Sequence, residues 1–345
     1  MSNVTISTLG SSNYGKLSQV IDNKSEREAI WQEHLIDNEE GVIVNNTSGT
    51  LHYDDHKRML DDVVKARTYM PTVFNTLSAA PGIVVPVALT DTLVGYQNMN
   101  QFSAGTSMNG SNRKSNQSDY QYAWTPQPIY HCDWHIPWRQ GGFGYKSTDG
   151  SSESAIQVAL ERDKTMVLGN SDIVVNVNGV DAQLYGLTNF PGTLQLPGGI
   201  SDWADVANSN LVSKEAIELV SQLYSNRIAA QVPDSVIMFV ANDIYPQLDQ
   251  DYSTEKGDRT NLERLRAITA IRDVVPTQWL PDGGVLLVEA TPMTLRIPTS
   301  TDIAVSPWQQ IERMADLKFT TYAASTVQPR VDRNGNTGLL YATKA

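Results

Sequence analysis

A polar tract set between two strand-like runs constrains this chain more than any other feature. Residues 97–121 read QNMNQFSAGTSMNGSNRKSNQSDYQ, and seventeen of the twenty-five are Asn, Gln, Ser, Thr or Gly. Such a stretch has too little apolar surface to build a core of its own. Ahead of it, IVVPVALTDTLVGYQ reads as a strand, with Pro86 and Gly95 placing it at an edge or a bend. Behind it, YQYAWTPQPIYHCDWHIPW reads as a return strand rich in aromatics. Asn109-Gly110 is a turn signal. Residues 83–138 therefore spell a long two-stranded hairpin with a polar tip. Loops of this length are uncommon inside a compact domain and are usually functional. A bare hairpin is marginal in water, so this one needs a surface to lie on, which a neighbouring subunit could supply.

The rest of the 345 residues offers ample core, in one large domain or two to three small ones. Residues 1–50 are polar, with a helix expected from Glu26 to Ile36; a mobile arm and an ordinary frayed terminus fit them equally. A second helix is expected from Tyr53 to Thr68, stopped ahead of Pro71. A third spans Ser152–Thr165, capped by Ser152, with Ala155, Ile156, Ala159, Leu160 and Asp163 as its stripe and Gly169 as its exit. IVVNVNGV suits a hairpin strand, and YGLTNFPGT a turn. Residues 211–297 look like a compact α/β unit. It holds a helix with Ser213 as cap and Ile217, Val220, Leu223 and Tyr224 on one face, then the buried strand SVIMFVAND. The helix NLERLRAITAIRDVVP follows, then two strands broken at Thr291-Pro292. The tail reads as strands around Asn334-Gly335. No repeat of 20–50 residues is visible.

Chemistry is sparse. The net charge of −12 argues against a basic nucleic-acid-gripping face. A single cysteine, Cys132, excludes an intramolecular disulfide and a multi-cysteine metal site. No apolar run nears the roughly 20 residues that span a bilayer, and the N-terminal MSNVTISTLGSSNYGKLSQ lacks a signal core, so a soluble chain is expected. His131, Cys132, Asp133 and His135 are all ligand types. On a strand, however, His131, Asp133 and His135 share one face at steps of roughly 7 Å, too spread for one tight site. His52 and His56 stand four apart, but Tyr53 occupies the place where HExxH needs its glutamate. Pro197-Gly198-Gly199 and Gly141-Gly142-Phe143-Gly144 are turns rather than phosphate loops. No Gly-x-Ser-x-Gly elbow occurs. No catalytic, cofactor or metal site is expected. A chain with a long polar hairpin and no site reads as a building block.

The order of segments resembles the major capsid proteins of tailed bacteriophages, the Hong Kong 97-type fold shared with encapsulin shells. Ser154–Gly169 is similar to the end of that family's spine helix. Tyr185-Gly186-Leu187-Thr188-Asn189 is similar to its Gly-hydrophobic-x-Asn step. Residues 211–297 resemble its axial domain, and the stretch from the strand SVIMFVAND through NLERLRAI to VVPTQWLPDGGVLLVEATPMTLRIPTS carries that likeness most specifically. The tail from Phe319-Thr320-Thr321-Tyr322 to Asn336-Thr337-Gly338-Leu339-Leu340-Tyr341 resembles the return to its peripheral domain. The resemblance implies an α+β chain divided into an N-terminal arm (1–50), a peripheral-domain segment (51–82), an extended hairpin loop (83–138), spine helix and peripheral domain (139–210), axial domain (211–297) and a return to the peripheral domain (298–345). It implies a structural protein, not an enzyme, that assembles with itself as hexamers and pentamers into an icosahedral head around double-stranded DNA. The head would be built in the host cytoplasm and end as part of the virion. Separate scaffolding, portal and decoration proteins are the further partners, and DNA is held without sequence-specific binding, which an acidic inner wall suits. An encapsulin-like nanocompartment shell is the alternative, and a metal-dependent hydrolase using His52, His56, His131 and His135 the second. Arg113 and Lys114, at the hairpin tip, are the expected inter-subunit contacts; Lys114 is similar to the crosslinking lysine of one branch, with no partner asparagine assigned.

Overall fold

The computed structural model describes residues 73–97, 122–136, 148–177, 179–196, 198–226, 235–251, 259–306, 317–332 and 334–345. The expected helices at 26–36 and 53–68, His52, His56, and the hairpin tip with Arg113 and Lys114 lie outside these residues. In chain order the first half contains helix α1 (Val73–Ser78), strands β1 (Val84–Pro86), β2 (Leu93–Gln97), β3 (Tyr122–Pro126) and β4 (Ile129–Ile136), helix α2 (Thr148–Leu168), and strands β5 (Asn170–Val177), β6 (Val180–Leu184) and β7 (Leu194–Gln195). The second half contains helix α3 (Ser209–Ser225), strand β8 (Val236–Ala241), helix α4 (Asn261–Arg266), and strands β9 (Ile271–Thr277), β10 (Val285–Glu289), β11 (Leu295–Val305), β12 (Leu317–Ser325), β13 (Gln328–Pro329) and β14 (Leu339–Ala342). The chain divides into a larger unit (Arg67–His131, Ile156–Ile303, Tyr322–Ala345) and a smaller one (Met1–Ala66, Cys132–Ala155, Ala304–Thr321).

The larger unit is organised by a five-stranded sheet in the order β7-β14-β10-β8-β9. Every residue of β8 (VIMFVA) and of β10 (VLLVE) is buried, as central strands covered on both faces require. β8 pairs antiparallel with β10 and parallel with β9. Its core is continuous with Val73, Phe74 and Leu77 of α1, Met166 and Val167 at the end of α2, and the inner face of α3.

Several elements differ from the sequence expectation. α3 begins at Ser209, so Ser213 lies inside it and does not cap it. Its buried face is Val212, Ala216, Leu219, Val220 and Leu223, which leaves Ile217 and Tyr224 exposed. NLERLRAITAIRDVVP is not one helix. α4 takes six residues of it, and IRDVVP goes into β9, where branched residues fit the parallel pairing with β8. IVVPVALTDTLVGYQ forms two strands, split by a turn in which Asp91 N–H donates to Ala88 O at 3.1 Å. β1 runs parallel to β11, whereas β2 pairs antiparallel with β3. The long hairpin is thus paired, among the described residues, over five positions only, Leu93↔Pro126 to Gln97↔Tyr122.

α2 is longer than Ser152–Thr165, so Ser152 is interior too. Its buried face carries Ser151, Ser154, Arg162, Asp163 and Thr165 beside Ala155, Val158, Ala159, Met166 and Val167. Polar and apolar residues share the inside, which removes the amphipathic signal that marks an ordinary surface helix. The expected strand IVVNVNGV lies within the β5–β6 hairpin, and Gly169 leaves α2 at φ +72°.

In the smaller unit the Trp134 ring stacks on Phe319, with centroids 4.3 Å apart and planes at 17°. Trp134 Nε1–H donates to Thr321 Oγ1 at 3.2 Å, and that hydroxyl also bonds Ser154 Oγ at 2.6 Å. Gly150 leaves the room that the indole fills, since a Cβ there would sit 2.7 Å from its ring.

Candidate assembly surface

The polar tract joins β2 to β3, so the root of this hairpin is where its chemistry meets the described fold. Side-chain and backbone bonds tether this root. Gln328 Nε2–H donates to Val94 O at 2.9 Å, Gln127 N–H to Thr92 O at 2.9 Å, Gln127 Nε2–H to Ser300 Oγ, and Ser300 Oγ–H to Ala88 O at 3.0 Å. On its outer face Trp124 lies across Gly95, where a Cβ would come 2.8 Å from the indole. The ring covers a backbone that has no side chain of its own, yet 42% of Trp124 remains exposed. Val174 on β5 (48% exposed) and Ile129 on β4 (54% exposed) add apolar surface to the same unit.

A second constellation anchors α1 to α2. Asp163 is 3% exposed; its Oδ2 accepts the Val73 N–H at 2.7 Å and its Oδ1 the Phe74 N–H at 3.3 Å. Arg162, fully buried, places its guanidinium 3.7 Å from the Phe74 ring centroid and donates from Nη1 to Asp302 Oδ1 at 3.0 Å. Burial pushes the Asp163 carboxyl up to about 6, with Arg162 and the two backbone N–H groups pulling the other way. Burial also raises the Tyr130 hydroxyl, so it is neutral across the working range. Sequence reading placed Asp163 on the helix stripe and passed over Arg162. A charged pair interrupting an otherwise small and apolar stripe was the available signal.

The suspected ligand residues behave as a strand requires. His131, Asp133 and His135 sit on the exposed face of β4, and Cys132 and Trp134 on the half-buried one. Asp133 Oδ1 accepts the Thr320 hydroxyl at 2.7 Å. Burial, and secondarily Asp133, raises the Cys132 thiol, which disfavours a reactive thiolate. Among the described residues no group of three or more His, Cys, Asp or Glu is placed to hold a metal ion, and no helix is long and apolar enough to cross a membrane.

A model of a family of unknown function, DUF6260, matches residues 46–342. No curated protein matches the chain. Among solved structures, a virus-like particle from Pyrococcus furiosus is similar at 11% identity and TM-score 0.56, covering 83% of this chain and 98% of that one. The capsid of Myoviridae phage XM1 is similar at 11% identity and TM-score 0.56, over 78% of this chain and 92% of that one. The capsid of an empty GTA particle is similar at 10% identity and TM-score 0.52, over 78% and 90%. At such identities the likeness is one of fold.

Proposed function

The chain belongs to the family of unknown function DUF6260 and has the Hong Kong 97-type fold, and from that premise we propose that it is a shell-forming major capsid protein of a tailed phage. In this reading it assembles with itself as hexamers and pentamers into an icosahedral head that encloses double-stranded DNA, and it turns over no substrate. The carrying observation is the hairpin root: five paired positions, an exposed Trp124, and a 24-residue polar excursion between Gln97 and Tyr122. A two-stranded hairpin is marginal alone, so in this reading a second copy supports the excursion. Arg113 and Lys114 near its tip are the proposed contacts to that copy's carboxylates. Scaffolding, portal and decoration proteins are separate chains in this scheme, assembly takes place in the host cytoplasm, and the product is the virion. An encapsulin-like nanocompartment is the second reading, favoured by the likeness to a virus-like particle over 98% of that chain.

The test is negative-stain imaging with light scattering of the purified protein across protein and salt concentrations. Rings or closed shells are expected. A strictly monomeric species throughout would overturn both shell readings, and shells that form without DNA or portal and capture a cargo peptide would favour the nanocompartment.

A further inference from the structure

We propose that Arg162 and Asp163, neighbours on α2, form a proton-responsive clamp on the start of α1, so that acid tightens and alkali loosens the seating of α1 on α2. The inference rests on the larger unit alone and does not depend on shell assembly.

The clamp has two jaws on one residue. Asp163 holds Phe74 by its backbone, accepting the Val73 and Phe74 N–H groups that the first turn of a helix leaves without intrahelical partners. Arg162 holds Phe74 by its ring, and is itself tied to Asp302 on β11. α1, VFNTLS, contributes no charge of its own, and no acidic residue stands in its first turn. Among the described residues the charged or titratable groups facing the clamp are Arg162 on α2, Tyr130 on β4 and Asp302 on β11, whereas Glu161 lies on the exposed side of α2 beside Lys164. Tyr130 stays neutral and Arg162 stays charged. Asp163, raised by burial, is the group on which the pH response is argued.

The sign follows from linkage. When α1 is seated, the Asp163 carboxyl titrates at about 6; when α1 opens and the carboxyl meets water, it returns towards its ordinary 3.8. The closed form thus binds the proton more tightly, and the proton favours closure. Below 3.8 both forms are protonated and closure has its full advantage; that advantage is lost as pH rises through about 6, where a buried carboxylate must be kept ionised. The two backbone bonds go to different carboxyl oxygens and favour the ionised form, so protonation weakens one of them, and the net rise to about 6 already includes that opposition.

The experiment is amide hydrogen exchange on the full chain from pH 5 to pH 8, corrected for the intrinsic pH dependence of exchange. The first turn of α1 is expected to open about tenfold more at pH 8 than at pH 5, the change that the two carboxyl values imply over this range. Asp163→Asn should abolish the dependence, and Glu161→Gln, on the exposed side of α2, should keep it. The amides of β8 and β10 serve as reference for global stability. Equal or greater α1 protection at pH 8 in the wild type overturns the clamp even if Asp163→Asn fails to fold, and so does an Asp163→Asn chain that retains the dependence.

Discussion

Gly169 and Gly186 show how one backbone crossing secures the end of the long helix. Leu187 N–H and Thr188 N–H donate to Met166 O and Val167 O at 2.9 and 3.0 Å, and so satisfy carbonyls that the last turn of α2 would otherwise leave open. The two strands of chain approach so closely that a Cβ at Gly169 would lie 2.5 Å from Gly186 N, and one at Gly186 would meet Gly169 N and, at 2.5 Å, Val167 O. The neighbours are backbone and cannot swing aside. Gly186→Ala is therefore expected to cost about 1–3 kcal/mol, read as a lower denaturation midpoint with an unchanged slope. A wild-type midpoint would mean that the crossing is looser than its geometry. Both glycines could be picked out from the sequence, Gly169 as a helix exit and Gly186 within the Gly-hydrophobic-x-Asn step. What made them necessary, each other's backbone, could not, because they stand seventeen residues apart.

At the scale of elements, α4 and β9 are instructive because the sequence between Asn261 and Pro276 satisfies a helical period throughout. The helix nevertheless stops after Arg266. Thr260 starts it by accepting the Glu263 N–H at 3.3 Å, and Glu263 early and Arg264 and Arg266 late complement its dipole. Ile271, Val274 and Val275 then gain more as a strand beside β8, where a fully buried apolar partner is waiting. Thr260→Ala should cost about 1 kcal/mol through loss of the cap, measurable as a drop in melting temperature; an unchanged melting temperature would assign the start of α4 to tertiary packing instead. The hairpin makes the opposite case. Deleting residues 98–118 removes polar chain and little apolar burial, so the monomer fold is expected to persist, with circular dichroism and core exchange unchanged. Shell yield should fall sharply. Charge reversal at Arg113 and Lys114 should do the same more weakly, at roughly 0–1 kcal/mol per contact repeated over many copies, and most clearly at low salt. A deletion that assembles as well as wild type would remove the hairpin from the assembly mechanism.

For the whole molecule, the shell reading puts function in surfaces and the metal-hydrolase alternative puts it in a site, and metal content separates the two. His131 and His135 lie on one exposed strand face at a spacing too wide for a compact site. Metal analysis of the purified protein should give background values, unchanged in the His131→Ala/His135→Ala double variant. About one equivalent of zinc lost in that variant would reverse the assignment. The sequence by itself determined the larger plan: the polar excursion between two strands, the helix ending at Gly169, the buried strand VIMFVA, the break at Thr291-Pro292 and the turn at Asn334-Gly335. Those signals are local, carried by composition, period and turn chemistry within a few residues. Tertiary structure decided the rest. β1 and β2 parted because β1 found β11 across more than two hundred residues. α3 turned its Val212–Leu223 face inward because the sheet lay on that side. Asp163 became a buried cap because α1, eighty-nine residues earlier, offered it two N–H groups. Each is a choice between locally similar options, settled by a partner distant in the chain, and no window of neighbouring residues contains that partner.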